Sequence, residues 1–224
     1  MNATLTIDAV TTPDTPARFA PAKLARRVDV VSDDEDAQLM LAYASGELRA
    51  FETLYSRHRG ALYRYLMRQA HDAEIANDLF QEVWSRVIAN RVRYEPRAKF
   101  RTFLFTLAYN CFIDHCRRLK ARPAGPGIDD ADAADLLPAD EDARPEIQLQ
   151  RDESSRRYRA ALATLPAEQR DVYLLHEESE LSLEEIARVT GVGAETAKSR
   201  LRYAVGKLKA ALANADGPAI RERR

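Results

Sequence analysis

Apolar residues in this chain recur every three or four positions over two long blocks, and no segment alternates apolar and polar residues as a half-buried strand does. That spacing restricts the chain to an all-α fold. In the first block, residues 47–68 carry Leu48, Phe51, Leu54, Tyr55, Leu62 and Leu66 as one stripe. Residues 73–89 repeat it with Ile75, Leu79, Phe80, Val83, Trp84, Val87 and Ile88. A short helix over 36–44 precedes them and ends at Gly46. A polar break at 90–99, containing Pro96, is followed by a helix over 100–118 with Phe103, Leu104, Leu107, Ala108, Cys111 and Phe112 on one side. Of the first segment's residues, Phe100, Leu104, Leu107 and Phe112 are assigned to the core.

Between the blocks, residues 123–146 hold four prolines, two glycines and the run Asp129, Asp130, Asp132, Asp135, Asp140, Glu141, Asp142. A stretch of that composition reads as a flexible acidic linker. The organisation is therefore a disordered arm over 1–33, a helical domain over 34–122, the linker, a second helical domain over 147–213 and a tail over 214–224. The second domain should hold helices over about 147–162, 167–177, 183–189 and 195–213. With 224 residues, each of two small domains can bury its own core.

The formal charge of −1 excludes a uniformly basic nucleic-acid coat, but local basic blocks at 117–122 and 198–209 leave room for DNA contact at particular places. Cys111 and Cys116 are five residues apart on one helix, so they point in different directions and no disulfide is expected. With His115 they lack a fourth metal ligand, and no metal, cofactor or catalytic residue is expected. His58, His71, His115 and His176 read as surface or structural groups. No apolar signal region or stretch of about 20 apolar residues occurs. A cytoplasmic protein without membrane insertion is the expectation.

The clearest local motif spans Leu181–Leu201. Ser182 and Glu185 have the spacing of a capping box, Ile186, Ala187 and Val189 form an inward face, and Gly191 suits a left-handed turn. A second helix follows with Ala197, Leu201, Ala204 and Leu208 buried. Its other side presents Thr196, Lys198, Ser199, Arg202 and Tyr203, which suits a recognition helix in a major groove. A helical hairpin with a solvated face is the bland alternative. In the first block, Asn90–Lys99 interleaves arginines with Tyr94, a pattern fit for single-stranded DNA, where cations hold phosphates and a ring stacks on a base.

Taken in order, Gly46–Tyr55, Ala76–Trp84, Phe100–Asn110 with Asp114, Arg117 and Arg118, Leu165–Arg170, Glu184–Ala187 and Thr196–Leu201 resemble the extracytoplasmic-function (ECF, group IV) class of the sigma-70 family of RNA polymerase sigma factors. The resemblance covers about 34–212. It implies a protein that binds core RNA polymerase, through the clamp helices of the beta-prime subunit and the beta subunit, and promoter DNA in double- and single-stranded form. Polymerase contact is implied for Asp78, Gln81, Glu82 and Ser85, with Leu79, Val83 and Trp84 turned inward. Contact with the −10 element is implied for Tyr94, Phe103, Asn110, Arg117 and Arg118. The −35 element falls to Lys198, Ser199, Arg202 and Tyr203, with Thr196 and Arg200 near phosphates. An anti-sigma protein is a further implied partner. The chain departs from the family pattern at Asn77, where an acid is usual, at Phe103, where tryptophan is usual, and at Tyr203 and Val205, where bases are common. The rival functional reading is an operator-binding helix-turn-helix regulator that recruits no polymerase; a polymerase-binding decoy is the third.

Overall fold

The computed structural model describes residues 34–121 and 145–215. The arm, nearly all of the acidic linker and most of the tail lie outside the described residues. Eight α-helices are present among the described residues: α1 (Glu35–Ala44), α2 (Leu48–Ala70), α3 (Ala73–Ala89), α4 (Phe100–Ala121), α5 (Pro145–Ala163), α6 (Ala167–Ser179), α7 (Leu183–Thr190) and α8 (Ala194–Ala215). A 3-10 turn, Arg91–Arg93, lies between α3 and α4. Every expected helix is found, with ends displaced by three residues at most. One displacement has a simple origin: α5 begins on Pro145, read above as linker, because proline's missing N–H costs nothing at a first helical position.

Local chemistry sets the helix ends. Asp72 caps α3 by accepting from the Ile75 amide at 2.9 Å. At α7 both halves of the capping box form: Ser182 Oγ accepts from the Glu185 amide at 3.3 Å, and Glu185 Oε2 accepts from the Ser182 amide at 2.9 Å. Such a cap contributes about 1 kcal/mol. Gly191 ends α7 at φ 71°, as expected for glycine. The left-handed residues that end α2 and α6 are His71 (φ 57°) and Glu180 (φ 52°), side chains that carried no such signal.

Helices α1–α4 pack on one another around an aromatic centre. The Trp84 indole meets Phe51 edge-on at 5.7 Å, with Tyr55 and Phe80 at 5.0 and 6.4 Å. Leu79, Val83 and Val87 line the inner face of α3. Two stripe residues fall outside this core: Leu48 is 70% exposed and Ile88 37%. Both stand at helix ends, where the neighbouring helix no longer covers them. Conversely Phe105, omitted from the α4 stripe, is fully buried, its ring edge-on to that of Tyr65 of α2 at 5.5 Å. Leu107, assigned to the core, is only partly buried.

A polar cluster around the buried His58 fastens α1 to α2. His58, 1% exposed, places Nε2 2.7 Å from Asp36 Oδ2, and Arg57 donates to Asp36 Oδ1 at 2.8 Å and to Glu35 at 2.8 Å. Asp34 reaches 66 residues along the chain to accept from the Phe100 amide at 2.6 Å, satisfying the first free N–H of α4. In the second group, α8 packs against α5, α6 and α7. The two groups also pack together, α2 on α6 and α4 on α7, so that their buried side chains form one continuous core.

Burial works against ionisation at Asp36, but Arg57 and His58 outweigh it and hold the carboxyl below the usual carboxylate range. Burial lowers the His58 pKa below its ordinary value despite the attraction of Asp36. Both depressed values give stability that is complete at neutral pH and is lost as pH falls. The melting temperature is therefore expected to fall as pH drops from about 7.5 to about 5.5, the range over which the imidazole charges in the unfolded chain. In His58→Gln the decline over that window should flatten; an unchanged slope would remove His58 from the account.

Candidate nucleic-acid interface

Three surfaces carry the expected contact residues. On α3, inward Leu79, Val83 and Trp84 leave Asp78, Gln81 and Ser85 exposed on the outer side, with Glu82 partly covered beside them. Glu82 is tied down by Arg86, one turn away on the same helix, and lies 3.6 Å from Arg118 of α4. A shallow cleft of about 220 Å³ between α3 and the end of α4 is lined by Asp78, Glu82, His115 and Arg118 over Ile75 and Leu79. Two residues of the set expected to face polymerase, Asp78 and Glu82, and one of the set expected at −10, Arg118, thus meet at one place.

The second surface is the segment before α4 and the outer face of that helix. Phe103, Asn110 and Arg117 stand seven residues apart, two turns each, and so share one face. Asn110 and Arg117 are exposed and Phe103 is partly covered. Arg117 lies 3.4 Å from Asp114, and Arg118 is exposed next to it.

Tyr94 lies differently from the expectation of a free stacking ring. It is 8% exposed, its ring edge-on to Phe103 at 5.2 Å and to Phe100 at 6.4 Å. Its hydroxyl is buried with no hydrogen-bond partner, and burial together with Asp34 and Asp36 pushes the phenol pKa up. Tyr94 props the segment from beneath rather than lying open to a base. The side chains that the segment turns outward are Val92, 76% exposed, with Arg93, Glu95, Arg97 and Lys99, Arg97 being paired with Glu95 at 2.6 Å. The sequence signal for Val92 was weak: an apolar residue flanked by two arginines inside a polar break.

The third surface is α8. Ala197, Ala204 and Leu208 are buried, and Leu201 is partly covered. Opposite them Thr196, Lys198, Arg202 and Tyr203 are exposed. The Arg202 guanidinium lies over the Tyr203 ring at 5.1 Å, and Lys198 is 3.7 Å from Glu195. Ser199 donates its hydroxyl to the Thr196 carbonyl at 3.0 Å, which leaves its oxygen lone pairs to accept. Arg200 stands apart: it is bonded to Glu168 of α6 at 3.1 Å and mostly covered, so it ties α8 to α6. Of the six residues of the third set, four lie exposed on the open face and Ser199 is partly covered beside them.

The geometry matches a known arrangement. The family model described as Sigma-70 region 2 matches residues 54–122, and that described as Sigma-70, region 4 matches residues 155–208. ECF RNA polymerase sigma factor SigM of Mycobacterium tuberculosis is 30% identical over 173 residues, 77% of this chain and 82% of that protein. This chain belongs to the ECF class of the sigma-70 family. It is an RNA polymerase sigma factor. RNA polymerase sigma factor CarQ of Myxococcus xanthus is 29% identical over 170 residues, covering 76% of this chain and 93% of that protein. In fold, the chain is similar to CnrH solved in complex with the cytosolic domain of CnrY, with a TM-score of 0.58, 25% identity and coverage of 81% and 99%. The membership displaces the operator-binding regulator. No helix among the described residues is long and apolar enough to cross a membrane.

An unpartnered buried hydroxyl costs about 1–3 kcal/mol. Tyr94→Phe removes it while keeping the ring contacts, and is expected to hold or raise stability by about 1 kcal/mol in a denaturant melt. A loss of that size would show that the hydroxyl has a partner in solution.

Proposed function

We propose that this sigma factor divides its work between a unit over 34–122, which grips core polymerase and captures the −10 element, and a unit over 147–213, which reads the −35 element. The observation that carries the division is the presence of two chemically unlike exposed faces on separate helix groups. The α3 face offers Asp78, Gln81 and Ser85, with Glu82 at its edge, and suits a protein partner with basic and amide groups. The α8 face offers cations, a hydroxyl and an aromatic, and suits base edges and phosphates in a duplex groove.

At −35, Lys198, Ser199, Arg202 and Tyr203 would enter the major groove of intact duplex, with Thr196 near the phosphates. Arg200 would act by holding α8 on α6, through Glu168, and would meet a phosphate only by giving up that bond. At −10, the exposed cations before α4 would hold the strand while Asn110, Phe103, Arg117 and Arg118 line its path. Unstacking a base costs on the order of a few kcal/mol, offset by these contacts. Tyr94 would support Phe103 in this arrangement unless the segment opens. The chain would act in the bacterial cytoplasm, where the polymerase is, and catalyse no step itself. An anti-sigma protein as a further partner is supported by the family membership.

The test separates the two faces. Asp78→Lys combined with Gln81→Lys should weaken association with bacterial core polymerase about tenfold or more, which is about 1.4 kcal/mol, and leave duplex binding by the chain alone intact. Arg202→Ala should do the reverse, costing about 1–3 kcal/mol on a cognate −35 duplex. Equal loss of both activities in either variant would contradict the division.

A further inference from the structure

Helix α4 begins without a cap of its own. The Lys99 carbonyl accepts the first helical bond, from the Phe103 amide at 3.1 Å, which puts Lys99 at the capping position with Ala98 before it. Neither side chain carries an oxygen that could accept from the free amides. Lys99 and Arg101 also bring positive charge to the positive end of the helix, whose first turn holds no acid. Glu185 and Glu180 answer those two charges from α7 and the turn before it, but the amide is left to α1. Asp34, partly buried, accepts from the Phe100 amide at 2.6 Å. The Phe100 ring lies 5.3 Å from that of His58, whose Nε2 is 2.7 Å from Asp36. Phe100 is thus gripped twice, its amide by Asp34 and its ring by His58.

The same helix holds the other end of the segment. The Arg91 guanidinium lies over the Tyr43 ring at 5.9 Å, and α1 packs on both the 3-10 turn and α4. Asp34 and Tyr43 are about 14 Å apart along the helix axis. Residues 91–100, with free ends, could span up to about 30 Å, so the two holds remove most of that freedom. Helix α1 is itself fixed to α2, where Arg57 donates to Glu35 and Asp36. The rings of Tyr94, Phe100 and Phe103 lean on one another, with Tyr94 5.2 Å from Phe103 and Phe100 6.1 Å from it. A shift of Phe100 is therefore passed to Phe103, on the face of α4 expected to line the −10 strand.

We propose that α1 is a working part of the −10 reader, a splint in which Asp34 and Tyr43 are positioning residues that fix the two ends of residues 91–100 and so place Phe103 and the exposed cations for the DNA strand. The match to Sigma-70 region 2 begins at residue 54, so this helix lies ahead of the matched region. Neither residue has to touch DNA. Asp34 acts through the Phe100 amide, and Tyr43 through Arg91. The outer face of α3 and the open face of α8 are built on other helices, so loss of the splint should spare both. The inference rests on the −10 assignment proposed above; the hold of α1 on α4 does not.

The test uses the full chain, free and bound to core polymerase. In the free chain, Asp34→Ala should speed hydrogen exchange at the Phe100 and Phe103 amides about fivefold, the change expected for a lost cap. Asp34→Asn keeps an accepting oxygen and should restore most of the protection. With core polymerase bound, Asp34→Ala should weaken binding of a fluorescent single strand carrying the −10 element of a promoter mapped for this protein by about fivefold, and Asp34→Asn should recover it. Tyr43→Leu should also weaken it, whereas Tyr43→Phe, which keeps a ring under Arg91, should not. Association with core polymerase and binding of the free chain to a −35 duplex should stay within about twofold of the parent in all four variants. Unchanged exchange or unchanged strand binding in Asp34→Ala would overturn the splint. So would an equal loss of all three activities that Asp34→Asn does not mend. Faster exchange in Asp34→Ala, with a parent holoenzyme that binds no −10 strand, would contradict the −10 assignment instead, and with it the splint's part in reading DNA.

Discussion

A carboxylate buried as deeply as Glu178 is tolerable only while it is paired, since an isolated charge loses its hydration without return. Its partners, Arg64 and Arg68, belong to α2, more than a hundred residues earlier in the chain. That single requirement ties the placement of α6 to α2. Because α6 carries α7 and α8 with it, it also places the helix-turn-helix against the head of α4. A buried ion pair of this kind contributes little net stability over an apolar replacement, but breaking it is costly. It is better suited to selecting one packed arrangement than to strengthening the fold.

Within each group the stability has a different source. The α1–α4 group is held by Trp84, Phe51, Tyr55 and Phe80, whose rings meet edge-on or tilted, and by the Asp36, Arg57 and His58 cluster. Burial of Trp84, with Phe51, Tyr55 and Phe80 partly buried around it, leaves the outer side of α3 free to be polar. In the helix-turn-helix, small Ala187, Ala197 and Ala204 let α7 and α8 approach closely, and Thr196, Lys198, Arg202 and Tyr203 take the face that packing does not use. Function occupies the surface that each core leaves over.

Helix existence and the outward residues of α3 and α8 were legible in the sequence because both follow from a period of about 3.6 residues. The capping box and Gly191 were legible for the same local reason: their partners lie within a few positions. What escaped was set at long range. Phe105 is buried because Tyr65 of α2 packs on it, Arg200 is engaged because Glu168 of another helix reaches it, and Tyr94 is covered because Phe100 and Phe103 fold back over the segment. Asp34 capping α4 across 66 residues belongs to the same class. A residue type apt for DNA, such as tyrosine among arginines, is equally apt for a small core, and only the tertiary arrangement separates the two. The roles of individual DNA-facing residues were carried by family resemblance rather than by periodicity.

On the proposed division of labour, the two surfaces become a promoter reader only when polymerase presents both to one DNA molecule, the linker raising the effective concentration of the second contact. The central physical event is the unpairing of DNA at −10. Permanganate oxidises unpaired thymines, so the decisive measurement is the reactivity of a promoter mapped for this protein, with core polymerase alone, the sigma factor alone and both together. Reactive thymines around −10 should appear only with both. Reactivity that core polymerase produces unaided, or none when both are present on a promoter that they occupy, would contradict the assignment of DNA opening to this chain.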